Sequence, residues 1–166
     1  MDPGSPPPAS AENQCLEIEV PIVWEYVRRV RQQVDAALAH LDEDQRSAAV
    51  MVASELLENA IKYGTAVPAL SRTRVTLNYS PQHVEIRVDN GLVEAPAYQR
   101  VRAIVDSMSD ESACEKLYLA RIQELIDNPF QKNQLGLYRI GYEGKFSLVC
   151  NLQDQVLSMT ARRNLP

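Results

Sequence analysis

The sequence predicts an α/β (α+β) two-layer sandwich, a mostly antiparallel sheet of about five strands with helices on one face. Two observations predict it. Short runs alternate apolar and polar residues, and most of them come in pairs joined by brief polar turns, so successive strands pair antiparallel. The stretches with helical spacing fall in two blocks, one before the first hairpin and one between the hairpins.

Residues 1–14 are a Pro-rich tail read as disordered, and a single domain over residues 15–163 follows. Leu16, Ile18 and Val20 alternate with polar neighbours as a half-buried strand that Pro21 ends. Over residues 22–41 the apolar side chains recur every three or four positions, the pattern of an amphipathic helix. Asp42 caps a second helix, with Gln45 three residues on as in a capping box, and Gly64 stops it. Residues 73–79 and 84–88 form a hairpin about Ser80, Pro81, Gln82 and His83. Helices over residues 98–108 and 112–126 follow, divided by Ser109, Asp110 and Glu111, which suit a helix start. A loop over residues 128–133 leads into 135–142, and strands over 145–152 and 155–162 close the chain around Gln153 and Asp154.

The 166 residues suffice for one domain with a real core. A net charge of -5, with lysines and arginines scattered among acids, predicts no nucleic-acid partner. No apolar run approaches the roughly 20 residues of a membrane span, and the start of the chain lacks a signal-peptide pattern, so the expected location is the cytoplasm. Cys15, Cys114 and Cys150 are too far apart to suggest a disulfide framework or zinc site. His40 and His83 fall on a polar helix end and a turn, where solvated roles are expected.

Residues 53–64, ASELLENAIKYG, carry the chemistry. On a helix Glu55 and Asn59 lie four apart and project side by side, while Leu56, Leu57, Ala60 and Ile61 face the core. The bland alternative is the solvated face of an amphipathic helix. This segment resembles the N-box of the GHKL (Bergerat-fold) ATPases and kinases, whose relatives include gyrase, Hsp90 and the anti-sigma-factor serine kinases. The resemblance implies that Asn59 binds the magnesium of ATP, that Glu55 acts as general base and that Lys62 lies near the phosphates. Magnesium suits such a site, because it takes few protein oxygens and completes its shell with water and phosphates.

Two weaker counterparts follow in the family's order. Asp89 and Gly91 match the adenine box, which implies that Asp89 accepts a hydrogen bond from the adenine amino group and that Gly91 lets the backbone approach the base; Val93 replaces the box's second glycine. Gly136 and Leu137 match the tail of the phosphate loop, with Gln134 where a further glycine normally stands, and Lys132 or Arg139 is expected to face the phosphates. The long helical insert between the boxes is similar to an altered ATP lid of the SiaB-type bacterial kinases. The resemblance therefore implies a regulatory protein that binds ATP and Mg2+, transfers phosphate to a serine or threonine of a small STAS-like or anti-sigma-antagonist partner, and can form a homodimer. The replaced glycines keep a second expectation open, a degenerate module that regulates its partner by docking alone.

Overall fold

The computed structural model describes residues 13–128 and 135–166. Along the chain run β1 (Gln14–Val20), α1 (Glu25–Ala37), α2 (Glu43–Tyr63), β2 (Thr73–Tyr79) and β3 (His83–Gly91). Then come α3 (Ala95–Ser107), α4 (Glu111–Asp127), α5 (Leu135–Tyr142), β4 (Ser147–Gln153) and β5 (Val156–Asn164). The five strands form one sheet in the order β1-β2-β3-β5-β4, and every neighbouring pair is antiparallel. The expected sandwich of an antiparallel sheet and a helical layer is what the chain forms. The lid loop expected at residues 128–133, with Lys132, falls almost wholly outside the described residues.

Register separates the two faces of the sheet. Val75 and Leu77 on β2, Val84, Ile86 and Val88 on β3, and Leu157, Met159 and Ala161 on β5 are buried on one face. The alternate positions, such as Thr76, Glu85, Arg87 and Thr160, make the outer, polar face. Helix α2 covers the inner face through Val52, Ala53, Leu56, Leu57, Ala60 and Ile61, and α1 packs on α2 through Val30 and Val34. Each fully buried Leu or Val here contributes roughly 1.5–3 kcal/mol, which fixes α2 rigidly across the strands. Helix α4 packs chiefly on α5 instead of on the sheet.

Several ends differ from the sequence reading. Helix α1 begins at Glu25, three residues late, because Pro21 and the turn after it hold the chain out of helix until Trp24. Helix α3 begins at Ala95, three residues early, since Pro96 in the first turn needs no hydrogen-bond partner for its nitrogen. In the last hairpin the turn residues are Asp154 and Gln155, with φ of 51° and 63°, one position later than the Gln153 and Asp154 pair. Two consecutive positive φ values match the right-handed twist of the strands they join.

The cap of α2 is as the sequence implied. Asp42 accepts from the Gln45 backbone N–H at 2.8 Å. At the other end Gly64 donates to the Ala60 carbonyl, and its own backbone is extended.

Candidate functional site

The C-terminal turns of α2, the end of β3, the first turns of α3 and the inner side of β5 enclose a cavity of about 550 Å3. That volume lies within the range of small-molecule and cofactor sites. Its floor is apolar: Leu56 and Ala60 from α2, Leu92 and Val101, Leu137 from α5, and Leu157 and Met159 from β5. Its polar groups are few: Asn59 and Lys62 from α2, Thr65 just after it, Asn90 from β3, and Glu94 and Arg100 from the start of α3. A largely apolar cavity with a few polar groups is suited to a small molecule that carries both apolar surface and heteroatoms.

Asn59 projects from α2 into this space, half-buried, and among the described residues no side-chain hydrogen bond engages its amide. Lys62 is one turn on, exposed, with its ammonium 5.0 Å from the centre of the Tyr63 ring. Lys62 and Arg100 make two cations on the cavity wall against the single carboxylate of Glu94.

Glu55 precedes Asn59 by one helical turn, about 6 Å along the axis. Its carboxylate does not line the cavity. It accepts a charged hydrogen bond from Arg139 Nη1 at 2.6 Å, while Arg139 Nε reaches Glu143 at 3.1 Å and Tyr118 donates to Glu143 in turn. The start of α5 presses on the same group: a Cβ on Gly136 would stand 2.2 Å from Glu55 Oε2. Burial pushes the Glu55 carboxyl above its ordinary pKa; the Arg139 charge and hydrogen bond oppose the rise, and Glu58 adds to it. Glu55 is therefore a carboxylate of raised basicity held under a guanidinium.

The second box is arranged differently from its sequence counterpart. Asp89 is buried on the outer face of the sheet, where it accepts from Arg87 Nε at 2.8 Å and from Ser158 Oγ at 2.5 Å. Gly91 follows on that face, and a Cβ there would meet the Thr65 carbonyl at 2.0 Å and Val67 Cγ1 at 2.9 Å. Its glycine is demanded by the chain's own backbone, since Thr65 and Gly91 form an isolated antiparallel bridge. The structure thus brings Asn59, Lys62 and Leu137 to the cavity, and Glu55, Gly136 and Arg139 together beside it. Asp89 and Gly91 lie elsewhere, and Lys132 is outside the described residues.

Four of the polar lining residues were not singled out from the sequence: Thr65, Asn90, Glu94 and Arg100. For Asn90 a signal existed, because it continues the alternation of Val84, Ile86 and Val88. Among the described residues no cluster of three or more His, Cys, Asp or Glu side chains could hold a metal. A magnesium ion here would depend on Asn59 and on oxygens brought by its ligand, a division of labour usual for that ion.

No protein-family model and no curated protein sequence matches the chain. Among solved structures it resembles a chain in the crystal structure of the SiaB-SiaC complex from Pseudomonas aeruginosa. The TM-score is 0.68 over 90% of this chain and 89% of that one, at 15% sequence identity. The two share a fold. No helix among the described residues is long and apolar enough to cross a membrane.

Proposed function

We propose that this chain is a regulatory protein that holds a magnesium-bound adenine nucleotide in the cavity and acts on a small STAS-like protein partner. The observation that carries the reading is the unengaged Asn59 amide on the cavity wall, one helical turn from the half-buried Glu55 carboxylate. The cavity's volume, its apolar slot and its two cations, Lys62 and Arg100, suit an anionic heterocyclic ligand. A partner of this kind is supported by the fold neighbour, which was crystallised as a complex with a second protein.

A bound nucleotide would supply a transferable phosphoryl group. The protein's part is then proton handling and positioning: Asn59 Oδ1 contributes one metal ligand, and Lys62 offsets phosphate charge. Glu55 accepts the proton of a partner hydroxyl at its carboxylate, a role favoured by its raised pKa. Arg139 must first release that carboxylate, which makes the Glu55–Arg139 pair a gate on catalysis. The same pair favours a second reading, in which the gate stays closed and the protein regulates by docking alone.

Calorimetric titration with Mg-ATP tests the common core of both. We expect one-to-one binding, weakened about tenfold by Asn59→Ala, since a good hydrogen bond or ligand contact is worth roughly 1–1.5 kcal/mol. Absence of heat with folded wild-type protein would end the nucleotide reading. Hydrolysis or transfer that Glu55→Gln abolishes selects the kinase over the docking module.

A further inference from the structure

β3 runs past Asp89 for two more residues, and its register decides which side chain meets a ligand. Val84, Ile86 and Val88 are buried beneath the helices, and Asn90 is the next residue on that face. Asn90 is 4% exposed and lines the cavity. Its Nδ2 donates to the Gly91 carbonyl at 3.1 Å, and a Cβ on Gly64 would stand 3.1 Å from the same nitrogen. The amide is thus held at its nitrogen end by the strand, with the stop of α2 close beside it. Among the described residues no donor reaches its Oδ1. An acceptor on the cavity wall with its donor end already committed favours a ligand that presents an N–H. It penalises one that presents a lone pair, because neither group can then be satisfied.

We propose that Asn90, and not Asp89, reads the edge of the bound heterocycle, and that the site selects a base bearing an exocyclic amino group over its oxo counterpart. This rests on the nucleotide reading above. Asp89 has no free role of this kind, since Arg87 and Ser158 take up its carboxylate on the far side of the sheet. Its effect on binding is confined to holding the end of β3 in register.

The test is a comparison of Mg-ATP and Mg-ITP, which differ at C6, amino against oxo, and at the adjoining N1, which carries a hydrogen only in ITP, titrated into wild type, Asn90→Ala, Asn90→Leu and Asp89→Asn. Wild type is expected to prefer ATP by about tenfold or more. In Asn90→Ala the preference falls to near unity. Asn90→Leu keeps the side chain's volume, removes its acceptor and likewise loses the preference, which preserves the test should the alanine variant fail to fold; a preference that survives in it counts as one that survives Asn90→Ala. Asp89→Asn keeps the preference too, with a lower melting temperature. A preference that survives Asn90→Ala, that vanishes in folded Asp89→Asn, or that is absent from wild type would overturn the assignment while leaving a nucleotide site in place. A wild-type protein that binds neither nucleotide would overturn the assignment together with the reading it rests on.

Discussion

At the scale of single residues, Glu55 is under two opposed influences. Burial raises its carboxyl pKa, and Arg139 lowers it through charge and a hydrogen bond. The net value is raised, so between the unfolded and folded pKa the folded chain holds the extra proton. Stability contributed by Glu55 therefore falls as pH climbs through that window. Arg139→Ala removes the opposing influence and extends the window upward. At neutral pH it leaves a half-buried carboxylate unpaired, a loss of about 1–3 kcal/mol. Near pH 4, with Glu55 protonated, the loss shrinks. Urea denaturation of both proteins at the two pH values checks this, and equal losses would contradict it. Glu55 and Asn59 were legible from sequence because a four-residue spacing on a helix has one geometric meaning. The hold of Arg139 on Glu55 was not, because 84 residues separate them and only the docking of α5 on α2 brings them together.

At the scale of elements, the end of β3 shows what strand alternation adds to a local pattern. Asp89 and Gly91 resemble an adenine box in order and spacing, yet alternation along the strand assigns both to the outer face. The period of two was present in Val84, Ile86 and Val88 and pointed to Asn90. Gly91 answers to packing: the segment after α2 crosses it, with the Thr65 N–H donating to its carbonyl at 2.9 Å. Gly91→Ala would drive a methyl into the Thr65 backbone and Val67, neither of which can move freely. We expect a destabilisation of about 1–3 kcal/mol by chemical denaturation. A neutral alanine variant would show that the bridge between Thr65 and Gly91 is dispensable. Element ends elsewhere were misplaced by one to four residues, some of them where a proline or a pair of positive-φ residues overrode the apolar period.

At the scale of the whole molecule, the fold class was legible because each strand alternates and each hairpin is local. The place of the last hairpin was not, since β5 inserts beside β3 and leaves β4 at the edge, a choice made by contacts between distant strands. The cavity was illegible for the same reason: its walls come from residues between Leu56 and Met159 in several elements, and no short window contains it. The central claim is that this cavity, bounded by Asn59 and Asn90, is where a magnesium nucleotide sits. A titration of 15N-labelled protein with Mg-ADP, followed by NMR, tests it most directly. The account predicts saturable shifts at the side-chain amides of Asn59 and Asn90 and along the backbone of residues 92–101, with little change at Arg87, Asp89 and Ser158. Shifts confined to that outer face, or none at millimolar nucleotide, would contradict it.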